Sequence, residues 1–213
     1  MSADPPARSS AFAAARVREK TSYRLNILNI RALLALAPLA LTVAGCGPRP
    51  AQLRPPLTAA LDPLLGFSDP AHCRPDAGHA RFLAGLIAGD ADRGFKPGRV
   101  DAPASLAAAF GPVTARRADG YWVIGVATTG TLFGLPLGRI DHALPEGGDA
   151  GDVTYRFDVP VAVAAKALAA RGFPVKAGAA VPIGVGETDV EEVMSLLPDP
   201  DSPARSLFGC GYA

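Results

Sequence analysis

Of the residues in this 213-residue chain, the histidines are the best suited by type to do chemistry, and two of the three stand close together. His72 and His79 flank Asp76, and Cys73 follows His72 directly. If Asp76 opens a helix, His79 falls in its first turn, and two imidazoles with one carboxylate could close on a divalent metal. The set has no recognised ligand spacing, and solvated histidines beside a bridged cysteine account for the same letters. A metal site at His72, Asp76 and His79 is a secondary expectation, and no cofactor is assigned.

Other reactive residue types lack a partner in sequence. Asp141 and His142 are adjacent, but a catalytic triad is defined in space and not by adjacency. Ser195 falls in a predicted helix with no nucleophile-elbow pattern around it. Gly184-Val185-Gly186-Glu187-Thr188 places glycines before a predicted helix, as phosphate sites do, but lacks the Walker lysine and the third glycine of a dinucleotide fingerprint. A plain strand-to-helix turn explains it better. Glu187, Asp189, Glu191 and Glu192 read as complementing that helix's dipole, and Tyr121-Trp122 as core or rim residues. No catalytic residue is assigned, and an enzyme is the less favoured reading.

The cysteines carry more. Cys46 ends a stretch in which a basic flank closing at Arg31 precedes twelve residues, Ala32 to Val43, with no charge. Twelve helical residues rise about 18 Å, short of a hydrocarbon core of about 30 Å, so a cleaved export signal fits better than a permanent span. Val43-Ala44-Gly45-Cys46 resembles the lipobox of bacterial lipoprotein precursors. That resemblance implies cleavage between Gly45 and Cys46 and acylation of Cys46, with membrane lipid as its partner. Several acyl chains on one residue exceed what stable anchoring needs. The resemblance also implies an envelope location facing the periplasm, with the outer membrane favoured over the inner. With Cys46 assigned to lipid, Cys73 and Cys210 remain as a pair, in a compartment where a disulfide persists. Two free thiols or a metal site are the alternatives.

The elements follow from this partition. Residues 1–45 form the signal peptide. Their first thirty residues are a long flank, or the start lies downstream at a non-Met codon such as Val17 or Leu25. Residues 46–56, with Pro48, Pro50, Pro55 and Pro56, read as an extended tether, and 57–213 as a single domain. Six basic and two acidic residues precede Cys46, so the +1 of the whole chain becomes −3 from Cys46 onward. That balance, without a basic stripe, excludes nucleic acid as a partner.

Within the domain a helix is expected from Asp76 to about Ala88, with Phe82, Leu83, Leu86 and Ile87 on one face and Gly89 as its stop. A short helix should run from Ser105 to Phe110, after Pro103 and before Gly111-Pro112. Val113–Ala118 and Tyr121–Val126 should form a hairpin about Asp119-Gly120. Leu132–Ile140 is a third strand, forced to an edge or a bulge by Gly134, Pro136 and Gly138. Val153–Val159 is a half-buried strand, and Pro160–Arg171 is a helix closed by Gly172. Phe173–Val185 reads as one or two short strands, and Thr188-Asp189-Val190-Glu191 as a capping box for a last helix, Asp189–Leu197. From Asp199 the tail reads as loop until Leu207.

The expected fold is α+β, an antiparallel sheet of four to six strands with flanking helices. Two short helices, Phe110-Gly111-Pro112 and a following meander are similar to small outer-membrane assembly lipoproteins of the SmpA/OmlA type, over at most Asp76 to Val159. The Pro160–Arg171 helix and the C-terminal unit depart from that plan, so no functional residue is carried across. The leading expectation is a tethered, non-enzymatic envelope binding or structural module with a protein partner. The alternative is a small periplasmic enzyme or metal-binding protein using His72 to His79.

Overall fold

The computed structural model describes residues 58–90, 94–146, 151–185 and 189–212. Gly45, Cys46 and the proline tether lie outside the described residues. The described chain enters along the sheet: Ala60 makes a parallel bridge to Thr131, and Leu61 and Leu65 are fully buried.

A small flap follows. Strand β1 (Phe67–Asp69) and strand β2 (Arg74–Pro75) pair antiparallel around a 3-10 turn, Pro70–His72, whose cap Cys73 has φ 54°. Helix α1 (Ala77–Gly85) starts as expected, with the Asp76 carboxylate accepting from the His79 amide at 2.8 Å. It ends one turn early. Leu86 caps it, and Ile87–Ala88 (β3) pairs with Lys96–Pro97 (β4). Phe82 and Leu86 are fully buried, and Leu83 and Ile87 pack partly against the core, so the expected face holds although the helix is shorter.

Helix α2 is a single turn, Ala104–Ala107. Phe110-Gly111-Pro112 is not its end but the start of strand β5 (Phe110–Ala118). Strand β6 (Tyr121–Leu132) returns through Asp119 at φ 51° and Gly120 at φ 82°. Two successive positive φ values are what a type I′ hairpin turn requires, which is why Asp-Gly marks it. Strand β7 (Leu135–Pro145) follows another positive-φ pair at Phe133 and Gly134. Of the two outcomes expected for that strand, the bulge is found, between Leu137 and Arg139, and the edge is not. Strand β8 (Asp152–Phe157) and helix α3 (Val161–Ala169) match expectation, with Gly172 at φ 91° after the helix. Strand β9 (Ala179–Val185) is one strand.

The last third departs from the sequence reading. No helix occupies Asp189–Leu197; Glu191–Asp199 is strand β10, and Ser202–Tyr212 is strand β11 where a loop was expected. A helix would gather Val190 and Leu197 into the core, yet these are 36% and 40% exposed. The two-residue alternation of buried Glu192, Met194 and Leu196 wins instead, because β10 has a partner on both sides.

The result is α+β with more sheet and less helix than expected: one seven-stranded antiparallel sheet, ordered β5-β6-β7-β8-β11-β10-β9, rather than four to six strands. Register sets its two faces. Val126, Ile140, Tyr155, Phe208 and Leu196 align across five strands, and none is more than 1% exposed. Ala164 and Leu168 of α3 and Phe82 of α1 join them in one core. The adjacent row, on the opposite face, reads Gly125, Asp141, Thr154, Gly209 and Ser195. A Cβ at Gly209 would sit 2.6 Å from Ser195 Oγ, so a larger residue there would require the serine hydroxyl to turn away. Further along that face, the buried Asp199 carboxylate lies 3.5 Å from Arg156 Nε and 3.2 Å from Arg205 Nε.

Both edges of the sheet are blunted alike. Strand β5 contains Pro112 and a register shift between Phe110 and Val113. Strand β9 contains Pro182, and its pairing with β10 shifts between Glu192 and Val193. A missing donor and a bulge interrupt the free hydrogen-bonding row that an edge otherwise offers to another chain.

A stapled cleft as the candidate functional site

Cys73 and Cys210 are bonded, with Cα atoms 5.9 Å apart and a sequence separation of 137. The bond ties the flap to β11. A second link ties it to β10: Arg74 donates from both terminal guanidinium nitrogens to the two carboxylate oxygens of Glu192, at 3.0 and 2.9 Å. Paired parallel bonds of this kind are the strong geometry for an ion pair. Glu192 is 7% exposed and faces the core side of the sheet with Met194 and Leu196, so it needs that cation.

Flap and sheet together form a half-open cleft of about 200 Å³. Phe67, Leu83, Val153 and Ile183 form its apolar walls, the disulfide is part of its lining, and Arg74 and Glu192 stand in its polar part. Cys210 aligns with Val153 and, through His142, with Ile124. Ile124 is seven residues from Thr131 along β6, so at roughly 3.3 Å per residue the cleft and the chain's entry at Ala60 stand about 20 Å apart along the strands. They occupy opposite ends of the sheet.

The structure separates the residues that the sequence placed together. His72 is half exposed and pairs with Asp69 at 2.7 Å, and that contact, chiefly a hydrogen bond, lowers the Asp69 carboxyl pKa. Asp76 is engaged in capping α1. His79 turns inward and is fully buried. Its Nδ1 lies 3.1 Å from the carbonyl of Gly66, an acceptor, so Nδ1 carries the proton; Nε2 then accepts from the Tyr155 hydroxyl at 2.8 Å. Burial lowers the His79 pKa to about 4 and raises that of Tyr155. His79 is therefore a neutral core imidazole, wedged 4.9 Å from the Phe67 ring. Among the described residues, no three His, Cys, Asp or Glu side chains gather as a metal site.

The remaining candidates disperse as well. Asp141 and His142 point to opposite faces of β7: Asp141 binds Arg139 Nε at 2.8 Å, while His142 is largely buried, with its pKa lowered by burial. Ser195 lies on β10 over Gly209. Gly186 to Thr188 lie outside the described residues. Trp122 packs partly against the core, and the Arg117 guanidinium stands 4.4 Å from its ring centroid.

Sequence reasoning missed Arg74, Glu192 and Tyr155. A signal for Glu192 was present: in the strand alternation it shares a face with Met194 and Leu196, and a carboxylate in an apolar row requires a partner. The helical reading concealed it. Comparison with protein families, curated proteins and solved structures finds no match to this chain.

Proposed function

We propose that this chain is a lipid-anchored extracytoplasmic binding module, held to the membrane through acylated Cys46 and binding through the stapled cleft. The observation that carries the reading is the cysteine partition. Of three cysteines, Cys73 and Cys210 are bonded to each other, which leaves Cys46, at the end of the apolar run, outside that bond. A disulfide of this span supports export to an oxidising compartment. The lipobox-like Val43-Ala44-Gly45-Cys46 supports cleavage before Cys46. The location that goes with this reading is the cell envelope, facing the periplasm, with the outer membrane favoured over the inner.

The chemistry of the site supports binding over catalysis. Its lining carboxylate, Glu192, is neutralised by Arg74, and its lining histidine, His72, is held in a pair with Asp69 at 2.7 Å, while the neighbouring His79 lies behind the cleft with both ring nitrogens engaged within the protein. Wild-type protein should partition with membranes and carry a mass increment of several acyl chains on a polypeptide beginning at Cys46. The Cys46→Ser variant should lose both. Retention of the wild-type membrane fraction and mass by that variant would end the proposal.

A further inference from the structure

The Arg74–Glu192 pair is asymmetric. The Glu192 side chain is 9% exposed and that of Arg74 is 55% exposed, so a fixed, desolvated anion is met by an arm reaching in from solvent. The anion must keep a cation, but that cation need not be Arg74. A surface arginine that leaves regains its hydration, whereas an unpaired buried carboxylate does not. Beside the carboxylate lies the roughly 200 Å³ cleft with its walls of Phe67, Leu83, Val153 and Ile183. A half-open cleft with apolar walls, into which a buried carboxylate, Arg74 and His72 also face, offers one anchored anion beside apolar surface to a small amphipathic ligand.

We propose that the cleft binds a small cation carrying an apolar body, namely an amine, amidine or guanidine on an aromatic or branched aliphatic skeleton. Glu192 is the anchoring anion, and Arg74 is the arm that occupies the carboxylate when the cleft is empty. The body packs against Leu83, Val153 and Ile183. Anions of the same shape are rejected by Glu192, and neutral isosteres leave Arg74 in place and gain only the apolar contact. The proposal rests on the binding-module reading of this site and is independent of the lipid anchor.

The test titrates benzamidine, benzamide and benzoate into the full-length protein and follows the methyl signals of Ile183 and Val153. Benzamidine should give a saturable shift, with affinity at least about tenfold above that for the other two probes. Glu192→Gln should lower benzamidine affinity by about tenfold or more, whereas Arg74→Ala, which removes the internal competitor, should raise it severalfold. Ile183→Trp, which fills the cleft from strand β9 and leaves the ion pair intact, should abolish binding and covers the case in which Glu192→Gln fails to fold.

Equal affinity for the three probes, insensitivity to Glu192→Gln and Ile183→Trp, weaker binding in Arg74→Ala, or no saturable shift with any probe would each overturn the proposal. Membrane fractionation of the same proteins keeps the outcomes apart. Anchored protein that ignores benzamidine sinks the ligand assignment alone, and soluble protein that binds it sinks the anchor alone.

Discussion

Tyr155 Oη and His79 Nε2 are 2.8 Å apart in the interior, with the hydroxyl donating to the imidazole, and this bond joins helix α1 to strand β8. The His79 pKa is lowered from 6.5 to about 4 by burial. The unfolded chain therefore binds a proton that the folded one refuses between those values, and stability falls as pH drops from about 6.5 toward 4. The contribution lost is about 3 kcal/mol. Urea unfolding across that range should show it, and His142, also lowered by burial, acts in the same direction. A His79→Gln variant should show a flatter profile and lower stability at pH 7. A slope unchanged from wild type would contradict the assignment.

The Cys73–Cys210 bridge closes a loop spanning most of the described fold. In the chain-entropy account a loop of this length stabilises by up to about 5 kcal/mol. Reduction, or the paired change of Cys73→Ser and Cys210→Ser, should lower the unfolding free energy by several kcal/mol in denaturant titrations. Coincident oxidised and reduced transitions would show the bridge to be energetically idle.

Asp199 is 2% exposed and sits between two arginines on neighbouring strands. Replacing it with Ala leaves Arg156 and Arg205 close together without the carboxylate. The expected loss is about 3 kcal/mol, measured by thermal and urea unfolding. Arg156→Ala or Arg205→Ala should cost less, since one arginine remains to meet the carboxylate. Near-equal stability of Asp199→Ala and wild type would rule the cluster out as a stabilising element.

The edge prolines should govern self-association. Pro182→Val restores a donor to β9 and Pro112→Val one to β5, and together they remove part of the defence against edge-to-edge pairing. Sedimentation velocity of the double variant should reveal oligomers or aggregates at concentrations where wild type shows fewer. An unchanged distribution would mean that the bulges alone suffice.

What could be read in advance divides along physical lines. Asp119-Gly120, Gly172 and the run Val161 to Leu168 act through their own backbone and nearest neighbours, so they were legible without any tertiary information. Strands β10 and β11 were not. Their identity comes from pairing with each other and with β8 and β9, and the capping letters at Thr188 to Glu191 favour a helix only where no strand partner is available. Gly209 looked like a loop residue because the neighbour it crosses, Ser195, stands on another strand. The histidine cluster failed differently: nearness in sequence does not give one shared face, since Asp76 caps α1, His72 turns to solvent and His79 turns into the core. The disulfide pair was legible because the lipobox resemblance removed one cysteine of three.

The bridge between Cys73 and Cys210 also bears on what happens when the chain is cut. Any single cleavage between those two residues, for instance at the Asp119-Gly120 hairpin tip, leaves both fragments covalently joined. A nick between the two cysteines therefore does not part the halves of the domain, which separate from each other only where cutting and reduction coincide.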